Sequence, residues 1–474
     1  MTDTAKSVQL DSIVKAYDIR GLVPDQLNED VARAIGSSFV LALREAGEPA
    51  GRVVVAYDMR ESSPGLAAAF AEGARAVGAA VLDAGLGSTD LLYYASGRFD
   101  LPGAMFTASH NPAQYNGIKL CRPGAKPIGQ DSGLARIRQL AEELLNGQLP
   151  RPDLTGSAPE VIRRDVLTEY AAHLRTLVDL RGIRPLRVAV DAGNGMAGLT
   201  VPAVLGDAAL APLPLEILPL YFTLDGTFPN HEANPLDPAN LVDLQRMVRE
   251  QGADLGLAFD GDADRCFVVD ERGEPVSPSA ITALVATREL AKHPGATVIH
   301  NLIVSAAVPE IIAEHGGVPV RSRVGHSFIK AQMATTGAVF GGEHSAHYYF
   351  RDFWGADTGM LAAMHVLAAL GKQSGPLSAL VDTFERYVAS GEINSRVTDQ
   401  RSAAERVAEA YRSHELDHTD GLTVRFSDGA WFNLRASNTE PLLRLNVEAP
   451  TAERMAGLRD EVLALVREPD NSGG

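Results

Sequence analysis

The chain reads as an α/β protein of several domains that closes with an α+β unit, on three observations. At 474 residues it is several times the size of one domain, and with 45% apolar residues it can bury more than one core. Short continuous apolar runs alternate with helical patterns through most of the chain, which is the rhythm of βαβ units. Over roughly the last hundred residues that rhythm gives way to clustered strands between two helices, an α+β pattern.

In order, residues 52–58 (RVVVAYD) suit a buried parallel strand, and Ser63 with Pro64 offers an N-cap and first position to an alanine-rich helix. A second short strand follows at Ala80-Val81-Leu82. The Pro-, Gly- and polar-rich stretch 146–160 marks a linker. Beyond it come strand-like 186–190, a helix opening at Asp237-Pro238, strand-like 255–259 and a hairpin signal at Glu271-Arg272-Gly273. Strand-like 297–299 and a helix over 305–314 continue the alternation until the break near 371–375. Strands at 421–426, 430–434 and 442–447, the first two joined by the turn Ser427-Asp428-Gly429, then precede the closing helix. The expected domains are 1–152, 153–274, 275–372 and 373–474.

With 43 basic and 60 acidic residues the net charge is −17, which disfavours nucleic acid or an anionic membrane as main partner. A small anion remains compatible, because Lys119, Arg265, Arg435 and Arg444 fall in or beside the candidate site loops. Cys121 and Cys266 are far apart and in no CxxC pair, so neither a disulfide framework nor a zinc site is indicated. No apolar run reaches the length of a membrane span and the opening residues are polar, so a cytoplasmic protein is expected.

Four constellations carry chemistry. Thr107-Ala108-Ser109-His110-Asn111-Pro112 follows apolar Met105-Phe106 and sets a hydroxyl at a strand end, with Lys119 shortly after; alone it is also an ordinary turn. Asp260, Asp262 and Asp264 alternate and are followed by Arg265, hard oxygen ligands for Mg²⁺ beside a donor for phosphate. The spacing resembles a calcium-binding hand, with Glu271 at the twelfth position. Arg265 stands where that loop needs glycine, however, and the flanks are strand-like. Glu343, Ser345 and His347 alternate after Val339-Phe340, so in extended backbone they face one way, suited to vicinal sugar hydroxyls. Arg435-Ala436-Ser437-Asn438-Thr439 joins two strands with donors that can wrap a phosphate dianion. The glycine-rich Asp191-Ala192-Gly193-Asn194-Gly195 lacks GxGxxG and reads as a tight βα turn.

These four loops in this order, with Tyr17-Asp18-Ile19-Arg20-Gly21 near the start, resemble the α-D-phosphohexomutase superfamily, in its bacterial phosphomannomutase/phosphoglucomutase branch, over essentially the whole chain. The resemblance implies a heart-shaped four-domain molecule, three mixed α/β domains and a smaller α+β domain. It implies interconversion of hexose 1- and 6-phosphates of mannose or glucose through a phosphoserine at Ser109 and a bound hexose 1,6-bisphosphate. Asp260, Asp262, Asp264 and the Ser109 phosphate would hold Mg²⁺. Tyr17, Arg20, Lys119, Arg265 and His326 would line the site, with Lys119 and His347 as proton-transfer candidates. Glu343, Ser345 and His347 would read the sugar, and Arg435, Ser437, Asn438 and Thr439 the phosphate. The implied partners are phosphosugars, with the chain a monomer or homodimer. One departure stands out: where the family often has Asp-Val-Lys near the phosphate, this chain has Asn301-Leu302-Ile303. A phosphoglucosamine mutase and a non-catalytic sugar-phosphate sensor are the alternatives.

Overall fold

The computed structural model describes residues 8–150, 159–436 and 442–467, and within them four sheets form. Arg52–Tyr57 lies at the parallel centre of the first, between Ala80–Leu86 and Gly103–Phe106. Helices cover both of its faces, which is why its sequence is a continuous apolar run rather than an alternating one. Tyr115–Arg122 returns antiparallel beside Gly103–Phe106, placing Lys119 opposite Met105, and Ile19–Leu22 pairs on its far side. Val161–Arg163 pairs with Ala80–Leu86, so a strand that follows the expected linker adds an edge to the first sheet.

The second and third sheets repeat the design. Leu186–Asp191 lies between Leu215–Leu220 and Leu255–Phe259, all parallel, and Cys266–Asp270 then runs antiparallel. Thr297–Asn301 lies between Val318–Ser322 and Phe340–Gly342, again parallel, and Tyr348–Phe350 runs antiparallel. In all three sheets a parallel neighbour of the central strand turns into an antiparallel one, and those three turns are 107–114, 260–265 and 343–347. Three of the four candidate loops therefore occupy one topological position, at the C-terminal end of a parallel strand where open sheets gather ligands.

The fourth sheet is wholly antiparallel, in the order Val388–Arg396, Leu442–Ala449, Trp431–Ala436, Leu422–Arg425, Glu415–Asp417. Helices Gln400–Ala410 and Ala452–Arg467 pack together, and both contribute to its core. That core, with Val407, Phe432, Leu458 and Val462, is separate, whereas one apolar cluster runs through the first three units, from Leu92 through Leu257 to Leu367.

Four local expectations are corrected. Ser62, not Ser63, occupies the N-cap of Ser63–Ala76, and Ser63 Oγ instead donates to Asp58 at 2.6 Å. The helix expected at Asp237-Pro238 opens as a 3₁₀ turn over Pro238–Leu241 before Val242–Gln251. Strand Val388–Arg396 was not anticipated, being mostly exposed and broken by a bulge between Ala389 and Glu392. Leu377 and Val381, placed beyond 373 with the last unit, pack into the large shared core.

Candidate active site

Ser109 is buried and adopts φ 51°, a left-handed backbone that residues other than glycine rarely take. Its Oγ donates to Asp260 Oδ2 at 2.8 Å and lies 3.2 Å from His110 Nδ1. The second unit presses directly on it: a Cβ at Gly261 would stand 2.4 Å from the Ser109 carbonyl oxygen.

The loop after Leu255–Phe259 is held by both flanking strands and by the first unit. Thr89, at the start of helix Thr89–Phe99, donates its hydroxyl to Asp262 Oδ2 at 2.6 Å and its N–H to the Asp262 carbonyl at 3.0 Å. Lys119 Nζ bridges Asp262 Oδ2 and Asp264 Oδ2, both at 2.6 Å, while Arg265 Nε donates to Asp260 Oδ2 at 2.9 Å. The strands on either side exclude the calcium-hand reading.

Charge is unbalanced here. Three buried carboxylates face two cations, and Asp262 Oδ1 and Asp264 Oδ1 have no hydrogen-bond partner. Burial, opposed by Arg265 and reinforced by the neighbouring carboxylates, pushes Asp260 up to about 7. Burial opposes the ammonium form of Lys119, but Asp262 and Asp264 outweigh it and hold its pKa well above the usual range. Oxygens of all three aspartates lie within 4.8 Å of one another, so unpartnered hard ligands and an excess of negative charge fit a divalent cation.

The third loop differs from expectation in backbone but not in convergence. Glu343, Ser345 and His347 do not lie on one strand: Ala346 takes φ 62° and Glu343 N–H donates to the His347 carbonyl, making a tight turn. The turn still brings Ser345 Oγ to 2.9 Å and Glu343 Oε2 to 3.9 Å from His347 Nδ1, with Asp264 Oδ1 3.7 Å from Nε2. Glu343 is fixed by Tyr349 OH at 2.6 Å, Gly325 N at 3.1 Å and Asn301 Nδ2 at 3.4 Å. Ile303 is buried.

Tyr17 packs edge-on against Phe328, 6.1 Å between ring centres, and Arg20 donates to Asp18 and Asn111, so the first strand's approach joins the Ser109 loop to the third unit. His326 opens helix His326–Thr336. Arg435 lies opposite Arg444 on the paired strand, and Glu392 approaches both at 3.8 and 3.7 Å. Two guanidinia directly opposite repel, which favours an anion between them. Ser437, Asn438 and Thr439 lie outside the described residues. Asp420, 3.8 Å from Arg435, accepts from Val324 N at 3.0 Å and ties the fourth unit to the loop before His326.

Sequence reasoning missed Asp58 and Arg60. Arg60 is fully buried and donates to the carbonyls of Ser109, Asn111, Pro112 and Tyr115 at 2.7–2.9 Å. The available signal was a pair of charges just past a buried strand. Also missed were Thr89 and the buried pair Lys330–Asp357, 2.5 Å apart, whose acid lies near Asp264 and His347.

Fold and site together define a multidomain α/β protein whose loops gather a hydroxyl, a cluster of three carboxylates able to hold a cation and, in the fourth unit, two facing arginines. Models of phosphoglucomutase/phosphomannomutase α/β/α domain I match residues 11–147, domain II 168–273, domain III 277–387 and the C-terminal domain 392–465. The chain belongs to the phosphoglucomutase/phosphomannomutase family. It is 44% identical over 442 residues to a protein named phosphohexose mutases from Xanthomonas campestris, covering 92% of this chain and 94% of that one. It is 42% identical over 445 residues to a phosphomannomutase of Salmonella typhimurium, with 92% and 94% coverage. The crystal structure of a phosphoglucomutase/phosphomannomutase family protein from Burkholderia thailandensis superposes with TM-score 0.85 at 31% identity, covering 98% and 99%.

Proposed function

We propose that the chain interconverts hexose 1-phosphate and hexose 6-phosphate, of mannose, glucose or both, with Ser109 carrying the transferred phosphoryl group and a hexose 1,6-bisphosphate as bound intermediate. The observation that supports this most is the contact of Ser109 Oγ with Asp260, beside two aspartates with unpartnered oxygens and the two cations Lys119 and Arg265. Asp260, Asp262 and Asp264, with an oxygen of the Ser109 phosphate, would hold Mg²⁺, which when bound neutralises charge on the phosphoryl oxygens.

Transfer breaks the bond from phosphorus to Ser109 Oγ and forms one to the free hydroxyl of the substrate. That hydroxyl's proton passes to His347, poised between Glu343 and Asp264. Lys119, firmly protonated, offsets the charge that develops on Ser109 Oγ. Arg265, with Nη2 buried and unpartnered, offers a donor to the same phosphoryl group. Arg435 and its loop hold the phosphate that is not reacting. Turning the sugar interchanges O3 and O4 approximately, so contacts from Glu343 and Ser345 serve both orientations. In the second half the other phosphate returns to Ser109.

Relatives named phosphomannomutase or phosphohexose mutase share about two fifths of this sequence, whereas the N-acetylphosphoglucosamine mutase of Aspergillus fumigatus shares 15% and supports only the fold. Turnover of mannose 1-phosphate, glucose 1-phosphate and glucosamine 1-phosphate, measured side by side, tests the reading. Mannose or glucose phosphate is expected to lead, and preferential turnover of the glucosamine phosphate contradicts it.

A further inference from the structure

We infer that Asp58 and Arg60 are positioning residues that clamp the main chain on both sides of Ser109 and so aim its oxygen for phosphoryl transfer. The inference rests on Ser109 as the phosphoryl carrier. Both residues come from the turn between Arg52–Tyr57 and Ser63–Ala76, outside the four motif loops.

On one side of Ser109, its N–H donates to Thr107 Oγ1 at 2.9 Å, and the Thr107 hydroxyl bonds to Asp58. On the other, its carbonyl accepts from Arg60 Nη2 at 2.9 Å. Asp58 Oδ2 lies 3.3 Å from Arg60 Nε, and Asp58 Oδ1 accepts from the Arg60 N–H at 3.0 Å, so the two halves form one device. The remaining Arg60 bonds go to the carbonyls of Asn111, Pro112 and Tyr115. Without the guanidinium, those four carbonyls would lose their common donor in a loop where Ser109 already holds a disfavoured left-handed conformation.

The second unit closes this arrangement. The Phe228 ring centre lies 5.0 Å from the Arg60 guanidinium carbon, and a Cβ at Gly226 would stand 2.6 Å from Arg60 Cα. One side chain therefore registers the serine loop against the unit that supplies the aspartates. A lysine has one nitrogen and cannot span the four carbonyls, so this is a task for the planar fork of arginine. A displacement of about 1 Å at a reacting atom is enough to cost on the order of a hundredfold in rate.

The test uses full-length Arg60→Lys, Arg60→Ala and Asp58→Asn, with Ser109→Ala beside them. Steady-state kinetics with glucose 1-phosphate are corrected for folded fraction, and phosphate occupancy of Ser109 is measured by peptide mapping. The expected result is a fall in kcat of about a hundredfold with KM changed less than about threefold, and recovery of Arg60→Ala by about tenfold in added guanidinium. Should Arg60→Ala not fold, Asp58→Asn, which keeps every Arg60 bond to the loop carbonyls, decides by the same split. Folded variants with unchanged kcat overturn the inference, as does loss that follows the unfolded fraction alone. If wild-type Ser109 carries no phosphate even after incubation with glucose 1,6-bisphosphate, the underlying reading fails with it; if Ser109 is phosphorylated and the clamp variants turn over normally, only the clamp fails.

Discussion

The first three units and the fourth are built on opposite terms. The three share one apolar cluster, and the first two meet through short side-chain contacts: Ser109 to Asp260 at 2.8 Å, Lys119 to two aspartates at 2.6 Å. The fourth has its own core and reaches the others through polar links: Asp420 to Val324 N, Asp417 to Arg321, and Glu448 to Ala306 N. Arg435 and Arg444 hold their carboxylate partners only at 3.7–3.8 Å. On the proposed reaction, the contrast gives the serine and aspartate loops a fixed mutual geometry and leaves the arginines proposed to hold the distant phosphate more loosely tied. A reaction that must release and regrip a turned sugar needs both.

Loss of the reacting groups should have the largest effect. Ser109→Ala is expected to lower kcat by at least about a thousandfold with unchanged thermal unfolding, and chelation of divalent cations should act in the same direction and be reversed by Mg²⁺. Retained mutase activity in Ser109→Ala would end the assignment. In the fourth unit, Arg435→Lys keeps the charge but loses the fork. KM should rise about tenfold while kcat changes little, and a fall in kcat alone would move Arg435 into the reacting centre.

Two stability measurements sharpen the same contrast. Leu458, fully buried in the separate core, should cost about 3 kcal/mol as Leu458→Ala, and calorimetry should show a fourth-unit transition moving ahead of the others. A single transition shifted as a whole would mean that the units melt as one. His300, buried in the third unit with Nδ1 at 3.0 Å from the Asn301 carbonyl, is pushed down to about 4, with burial the main cause. Its unfolded form takes up a proton near pH 6.5, so stability is complete above that and falls as pH drops toward 4. At about pH 5.5 the loss is about 1 kcal/mol, and it should vanish in His300→Gln.

Much of this was legible beforehand because buried parallel strands write themselves as apolar runs, and the chemistry sits where those runs stop. The residues 255–259 and the three aspartates after them needed no tertiary information. Arg60 did: a lone arginine after a strand has no sequence mark showing that it will meet four carbonyls some fifty residues away. Val388–Arg396 was invisible because it is a largely exposed edge, and the turn at Ala346 because alternation alone cannot distinguish a strand from a hairpin that brings the same side chains together.

The most direct measurement is peptide mapping of the purified protein before and after incubation with glucose 1,6-bisphosphate, read against intact mass. The account predicts one phosphate, located on Ser109, that incubation with the bisphosphate fills and hexose monophosphate then removes. Phosphate on any other residue, or none at all in an enzyme that turns over, would contradict it.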